Sequence, residues 1–281
     1  MLKQRVVTAL VLLMLLLPAL FHARPEPFFL LAAVFIAAGG WEWARMNGLK
    51  MAASLFVGGL CVGACFWMWW SGVLVEPLPR VWLLAGSIWV LAGAWILRAG
   101  VGAWSHVPRS LRLVLGLVAL CMTWLAVAQA RLLGINFLLS VLALVWVADI
   151  GAYFSGRALG GRFIHSKLAA SISPGKSWEG VWGGMVGVIL MAFVWRYVDA
   201  ANGVTAPSFY TLLGVRGLGF LVVAVVFMVA MSVVGDLVES LVKRSVGVKD
   251  SSALLPGHGG VLDRVDALLP TLPLAMMLIS F

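Results

Sequence analysis

The chain has 281 residues, of which 63% are apolar and 11% are charged, and its formal net charge is +9. Soluble domains contain roughly 45–50% apolar and about 25% charged residues, so this composition excludes a soluble globular protein and indicates an integral membrane protein. The positive charge does not indicate a nucleic-acid-binding protein, because most of the basic residues flank apolar segments, where they face anionic lipid headgroups.

The first 28 residues place Lys3 and Arg5 ahead of an apolar stretch, a pattern that signal peptides share. A secretory signal is followed by a small-residue cleavage site and a soluble domain, whereas here a second apolar stretch follows. The segment is therefore interpreted as the first membrane span.

Apolar stretches long enough to cross a bilayer, about 17–25 residues, occur nine times. They cover approximately residues 7–23, 27–44, 51–71, 80–98, 112–129, 132–153, 178–197, 217–240 and 265–281. The second contains Glu42, and the last is short and contains Asp266, Pro270 and Pro273. The sequence predicts an all-α, polytopic membrane bundle of about nine transmembrane helices. Eight spans with a re-entrant last segment remain the alternative.

Basic residues are distributed unequally between the two sides of the predicted membrane. The N-terminus and the loops after the second, fourth, sixth and eighth spans hold 15 of the 20 Lys and Arg residues. Because cytoplasmic loops carry the excess of positive charge, these segments are predicted to be cytoplasmic. The longest connections, residues 154–177 and 241–264, both lie on that side.

Six of the eleven acidic residues fall in two places. Asp149 lies at the end of the predicted sixth span. The others follow the apolar run of the eighth span: Asp236, Glu239, Asp250, Asp263 and Asp266. Charged groups near bilayer depth are costly unless they pair, bind ions or line a wet cavity. Carboxylates from separate segments suit Mg²⁺, which takes one or two acidic ligands and fills its shell with water and substrate phosphates.

Basic residues surround these acids in both long loops. They are Arg157, Arg162, Lys167 and Lys176 in the first loop, and Lys243, Arg244, Lys249 and Arg264 in the second. Such groups can hold several phosphates. The turn PGHGG at residues 256–260 adds flexible backbone that can approach an anion closely, and His258 can donate to a phosphate oxygen. The pattern indicates phosphate chemistry.

Some of these residues also have purely structural alternatives. Glu239 and Lys243 are spaced as a helical i,i+4 ion pair. Ser177 is placed to cap the start of the seventh span, where Glu179 would complement the helix dipole. These roles are compatible with membership of a site.

The block from residue 240 to residue 266 resembles the C-terminal signature of the phosphatidate cytidylyltransferases, also called CDP-diacylglycerol synthases. The residues that carry the resemblance are Ser240, Lys243, Arg244, Lys249, Asp250, Ser252, Leu255, Pro256, His258, Gly259, Gly260, Asp263, Arg264 and Asp266. A second family element is similar to SPGKSWEG at residues 173–180, although many relatives have a lysine where this chain has Gly175. The resemblance extends over most of the chain.

The resemblance implies a Mg²⁺-dependent nucleotidyltransferase that moves the CMP unit of CTP to phosphatidic acid, forming CDP-diacylglycerol and pyrophosphate in phospholipid biosynthesis. It implies a multi-pass protein of the cell inner membrane whose active site faces the cytoplasm. CTP, phosphatidic acid and membrane lipids are the expected partners, while a homodimer and a second cation are left open. One membrane domain is expected over residues 1–281, with N-terminal spans in 1–130 and catalytic spans and cytoplasmic loops in 131–281.

The resemblance also assigns roles to individual residues. The catalytic residues are expected to be Asp236, Asp263, Lys249, His258 and Arg264. Substrate binding is expected at Ser173, Lys176, Ser177, Glu179, Lys243, Arg244, Asp250, Gly259 and Gly260. Asp236 and Asp263 are the expected Mg²⁺ ligands, with Asp149 and Asp266 as further candidates near the cation.

Two other functions remain open from the sequence. A transporter would use intramembrane acids such as Asp149 and Asp236 to bind a coupling cation, but the sequence shows no inverted halves, and transport does not need a phosphate-type cluster in one loop. A related enzyme would use CTP on another lipid, as a polyprenol kinase or an isoprenoid ether-lipid cytidylyltransferase does. The complete signature argues against the kinase.

Overall fold

The computed structural model describes residues 2–281, with side chains from Gln4 onward. Over this part of the chain the structure contains eleven helices and no strand beyond two isolated bridges. The helices are α1 (Leu2–Phe21), α2 (Glu26–Met46), α3 (Met51–Trp70), α4 (Pro79–His106), α5 (Arg109–Leu133), α6 (Ile135–Leu159), α7 (Trp178–Asn202), α8 (Phe209–Val215), α9 (Leu218–Ser245), α10 (Leu262–Val265) and α11 (Leu268–Ile279). The predicted all-α membrane fold is confirmed.

Eight of the described helices, α1 to α7 and α9, are long and apolar enough to cross a membrane. The last predicted span, residues 265–281, contains α11, which has only 12 residues and is about 18 Å long at 1.5 Å per residue. A hydrocarbon core about 30 Å thick needs a longer helix. Residues 270–276 of α11 are all buried, and α11 packs against α4, α5 and α9. Its apolar composition therefore reflects burial within the bundle, and the structure has one spanning helix fewer than predicted.

Several helices extend beyond their predicted apolar windows. α6 continues to Leu159 and α9 to Ser245, while α4 has 28 residues with a kink at Gly100, where φ is 79°. The backbone hydrogen bonds of a helix do not require apolar side chains, so a helix can continue after its apolar stretch has ended. Asp149 consequently lies within α6, well before its end, and Asp236 lies within α9.

Glycines allow α6 and α7 to pack closely. A Cβ added at Gly184 would lie 2.7 Å from the carbonyl oxygen of Ala148, and one at Gly180 would lie 2.9 Å from that of Ala152. Small residues at membrane helix interfaces permit such a close approach of two backbones. The helix pair forms one side of the candidate site described below.

A third close approach brings the start of α11 to α9. A Cβ at Gly235 would lie 2.6 Å from the carbonyl oxygen of Asp266 and 2.8 Å from the ring of Pro270. Because Gly235 directly precedes Asp236, this contact brings the segment that carries Asp266 close to the acidic position on α9.

Candidate active site

A cavity of about 440 Å³ lies between α6, α7 and α9. Its polar lining consists of Asp149, Tyr153, Arg157, Lys176, Ser177 and Asp236. The remaining lining residues are mostly small or aliphatic, and they include Gly156, Gly180 and Gly184. A concave site with a few convergent polar groups is the usual form of a small-molecule site.

Asp236 is the central acid of this cavity. Its Oδ2 lies 2.5 Å from Lys176 Nζ, and its Oδ1 accepts a hydrogen bond of 3.2 Å from the Ser240 hydroxyl. The Asp236 charge is close enough to act on both Asp149 and Asp266, and the Lys176 charge reaches the same two acids. The structure therefore brings together carboxylates from α6, from α9 and from the junction of α10 with α11.

Asp266 shows the consequence of this crowding. Desolvation of its carboxyl group and the neighbouring Asp236 carboxylate raise the pKa of Asp266 to about 7, although the Ala267 amide donates to its Oδ1 at 2.7 Å. The charges of Lys243 and Lys176 lower the pKa of Asp266, but by less than the raising effects. Added positive charge would stabilise the ionised form of this group.

Asp263 lies in a separate cluster with Lys243. The Lys243 ammonium contacts Asp263 Oδ1 at 2.5 Å and forms a second ion pair with Glu239 on α9. Asp263 Oδ2 accepts hydrogen bonds from the Ser251 amide and hydroxyl, both at 2.9 Å, and from the Gly260 amide at 2.7 Å. Burial alone would raise the pKa of Asp263, but Lys243 and the two amides outweigh it and hold the pKa below its ordinary value. Both carboxylate oxygens of Asp263 thus hold the loop after α9, which comprises residues 246–261.

The glycines of the PGHGG turn let the chain fold around this aspartate. Gly259 has φ of +81°, and a Cβ there would lie 2.7 Å from Asp263 Oδ2. A Cβ at Gly260 would collide with the Ser251 hydroxyl and the Glu42 carboxylate. The glycine amides were predicted to cradle a ligand anion, and in the structure the Gly260 amide donates to the protein's own Asp263.

Three of the remaining predicted residues lie at the surface in or beside this loop, whereas His258 is half-buried. Lys249 and Asp250 are exposed. Arg264 donates from Nε and Nη2 to the carbonyl oxygen of His258, at 2.9 and 2.6 Å. Its charge also reaches Asp149 in the cavity. Arg264 therefore connects the loop electrostatically to the cavity.

The predicted residues before and within α7 fall into two groups. Lys176 and Ser177 line the cavity, and the Ser177 hydroxyl also caps α7 by accepting the Gly180 amide at 3.2 Å. Glu179 is buried, and its Oε1 accepts three amides from residues 161–164 at 2.9 to 3.1 Å. Glu179 thus fixes the segment after α6 and does not line the cavity.

Ser173 and Arg244 hold the loop that carries Lys176. The Ser173 amide donates to the carbonyl oxygen of Ala169 at 2.8 Å, which closes a turn. Arg244 Nε, at the end of α9, donates to the carbonyl oxygen of Ile172 at 3.3 Å. These contacts set the position of the lysine that pairs with Asp236.

Comparisons with known proteins identify the family of this chain. A family model described as "Cytidylyltransferase family" matches residues 3–281. The chain is 39% identical over 97% of its length to the phosphatidate cytidylyltransferase of Haemophilus influenzae, covering 96% of that protein, and 39% identical over 97% to that of Pseudomonas aeruginosa, covering 95%. The chain belongs to the cytidylyltransferase family. A relative of the same name from Brucella suis is 35% identical over 81% of the chain and 75% of its own length. The resemblance inferred from the sequence is confirmed.

The oxygen ligands of the cavity fit the Mg²⁺ ion that the family resemblance implies. Within residues 2–281 no group of three or more His, Cys, Asp or Glu side chains is already arranged around one point. Mg²⁺ needs only one or two carboxylates when phosphates and water complete its shell, and Asp236 with Asp149 or Asp266 would supply them. Ligation by Asp263 stays a prediction, and it would require Lys243 or Ser251 to release a carboxylate oxygen.

No sequence motif assigned a role to one residue that the structure connects to this site. Glu42 on α2 was noted only as a charge inside a predicted span. Its carboxylate accepts hydrogen bonds from the loop after α9. The available signal was a single acid within an apolar segment, which is costly unless it is paired or hydrogen-bonded.

Proposed function

We propose that this chain transfers the CMP unit of CTP to phosphatidic acid, forming CDP-diacylglycerol and pyrophosphate, at the cavity between α6, α7 and α9. The observation that carries the proposal is the cavity itself, where Asp149 and Asp236 face Lys176 and Arg157 in a member of the cytidylyltransferase family. The relatives from Haemophilus influenzae and Pseudomonas aeruginosa are named phosphatidate cytidylyltransferases.

The chemistry of the acceptor suits such a cavity. The phosphate of phosphatidic acid is already an anionic nucleophile near neutral pH, so the transfer needs no strong general base. Its oxygen attacks the α-phosphorus of CTP, a new P–O bond forms, the bond to the β-phosphate bridging oxygen breaks, and pyrophosphate leaves. Catalysis then depends on positioning and on neutralising charge.

The side chains of the cavity can perform these two tasks. Lys176 and Arg157 are placed to hold phosphate oxygens, and Arg264 adds positive charge from α10. Asp236, with Asp149 or Asp266, would hold Mg²⁺. The bound ion would supply positive charge that offsets the charge developing on the triphosphate.

The protein is a multi-pass membrane protein, and we place it in the inner membrane with the cavity open to the cytoplasm. The cavity is bordered by Gly175, Lys176 and Ser177 of the loop before α7, and this loop belongs to the side that carries 15 of the 20 basic residues. The nucleotide and the lipid headgroup would therefore meet at the inner leaflet.

The test is an assay of purified protein in detergent with labelled CTP. We expect pyrophosphate and CDP-diacylglycerol to form with phosphatidic acid and Mg²⁺, and both products to be lost with a chelator. Parallel reactions with a polyprenol and with an isoprenoid ether-lipid phosphate distinguish the related enzymes. Turnover with one of those acceptors alone would refute the proposal, as would an absence of turnover combined with solute flux in vesicles.

A further inference from the structure

A buried carboxylate on α2 holds the loop that follows α9. The Glu42 side chain is 0% exposed, and each of its oxygens accepts one hydroxyl and one amide. Oε1 accepts from Ser252 at 2.6 Å and from the Val261 amide at 2.9 Å, while Oε2 accepts from Ser251 at 3.1 Å and from the Leu262 amide at 2.7 Å. Among the described side chains, no Lys or Arg forms an ion pair with it. Its charge is thus satisfied by this loop alone.

These contacts lead to the acids and bases of the site. Val261 and Leu262 begin α10, and Asp263 follows directly, so the Glu42 carboxylate sets the position where α10 starts. The Ser251 hydroxyl has one proton to donate and lies between Glu42 Oε2 and Asp263 Oδ2, while the Ser251 amide donates to Asp263 Oδ2 at 2.9 Å. Ser251 therefore connects the two carboxylates. A shift of α10 would move Asp263 first and Asp266, at the end of α10, with it.

We propose that Glu42 is a positioning residue for CMP transfer, which holds α10 and the Asp263–Lys243 pair in register from α2. The inference rests on the proposed function, because that function gives the Asp263 cluster its chemical role. Glu42 and Ser251 are 209 residues apart in the chain. The N-terminal spans, which carry none of the signature residues, thereby contribute directly to the geometry of the site.

Glu42→Gln is the most informative substitution. Each carboxylate oxygen faces one backbone N–H, so the new NH₂ group opposes an amide donor in either orientation. We expect kcat to fall about 10- to 100-fold, as for other residues that orient a catalytic group, with a smaller change in KM for CTP. Glu42→Asp keeps the charge and should recover part of kcat. Both measurements are made on the full-length protein with phosphatidic acid.

Thr8→Val is the matched control. The Thr8 hydroxyl donates to the carbonyl oxygen of Pro256 at 2.8 Å, so it contacts the same loop from α1 without reaching α10. We expect its kcat to stay within about twofold of the wild-type value. An equal loss in Thr8→Val and Glu42→Gln would overturn the proposal, because any loosening of the loop would then suffice.

Two further measurements separate positioning from simple stability. Amide hydrogen exchange of the substrate-free protein should be faster over residues 250–266 in Glu42→Gln and unchanged in the other spans. As a single substitution, Ser251→Ala should lower kcat. In the Glu42→Gln background it should cause little further loss of kcat, because both substitutions break the same connection. Fully additive losses would overturn the route through Ser251. A folded Glu42→Gln protein with normal kcat, or with unchanged exchange, would overturn the role of Glu42.

Two controls keep the outcome decisive. If Glu42→Gln does not yield folded protein, Glu42→Asp and Ser251→Ala carry the same test, since each weakens the connection without reversing a donor. Wild-type protein that is inactive on phosphatidic acid would refute the proposed function. The exchange experiment needs no substrate, so it would still decide whether Glu42 fixes α10.

Discussion

The cavity between α6, α7 and α9 and the loop after α9 both concentrate charged residues, but they compensate their acids differently. In the cavity, Asp236 pairs with a single lysine, and its charge opposes those of Asp149 and Asp266. At the loop, Asp263 pairs with Lys243 and also accepts hydrogen bonds from two amides and a hydroxyl. Asp236 contacts one lysine and one hydroxyl, whereas Asp263 is surrounded by hydrogen-bond donors.

This difference indicates that the two regions have different roles. Undercompensated carboxylates lower the stability of the free protein, so they are expected where a bound cation or cationic ligand supplies the missing charge. Carboxylates whose oxygens already accept several hydrogen bonds hold the surrounding chain in place instead. We therefore propose that the cavity binds phosphate and metal, and that the loop beside it holds the shape of the site.

The largest effect is expected for Asp236→Asn. Asp236 is the acid that pairs with Lys176 in the cavity. Its replacement removes both this ion pair and a candidate Mg²⁺ ligand. CDP-diacylglycerol formation should fall by about a thousandfold or more, while the protein stays folded. Glu76→Gln, at an exposed acid outside the site, is the control and should be active. Near-normal turnover in Asp236→Asn would remove this residue from the site.

A comparison of two lysines tests the division directly. Lys176 lies in the cavity beside Asp236, whereas Lys249 is exposed on the loop. We expect Lys176→Met to lower kcat/KM for CTP about 100-fold, and Lys249→Met to lower it less. Steady-state kinetics over a range of CTP concentrations measure both. A larger loss at Lys249 would place the nucleotide against the loop instead of in the cavity.

Local patterns in the sequence predicted the helical membrane fold, but they misjudged α11. Apolar composition identifies a segment that avoids water, and it does not distinguish contact with lipid from burial among other helices. Residues 270–276 are buried by the other helices and are therefore mostly apolar. For this reason a helix of 12 residues was predicted to be a membrane span. Helix ends were also placed early at α6 and α9, because charge marks the edge of the apolar window and not the end of the helix.

Sequence patterns predicted a set of site residues, but they did not predict which of these residues pair in the structure. The contact of Lys176 with Asp236 joins residues 60 positions apart, and no local spacing encodes it. The pairing of Glu239 with Lys243 was foreseeable, because i,i+4 positions share a helix face. Glu42 was visible only as an isolated charge, since its partners lie more than 200 residues away.

A glycine substitution is expected to have the next smaller effect. Gly259→Ala introduces a Cβ at φ of +81°, 2.7 Å from Asp263 Oδ2, and should disturb the loop after α9. Gly72→Ala is the matched control, because Gly72 has φ of +78° and open space around its Cβ position. Each costs about 1–2 kcal/mol of backbone strain. Only Gly259→Ala should also lose activity, about tenfold, and equal activities would show that the loop does not position the site.

The smallest effect on catalysis is expected for Glu179→Gln. Sequence patterns predicted that Glu179 binds substrate, but its Oε1 accepts the amides of Gly161, Phe163 and Ile164. Glutamine keeps one acceptor oxygen, so the segment after α6 should be held less firmly and Tm should fall. Since this carboxylate does not line the cavity, kcat/KM for CTP should change no more than a few fold. A large loss of kcat/KM with unchanged Tm would instead return Glu179 to the substrate-binding residues, and the cavity would then have to extend beyond its present lining toward residues 161–164.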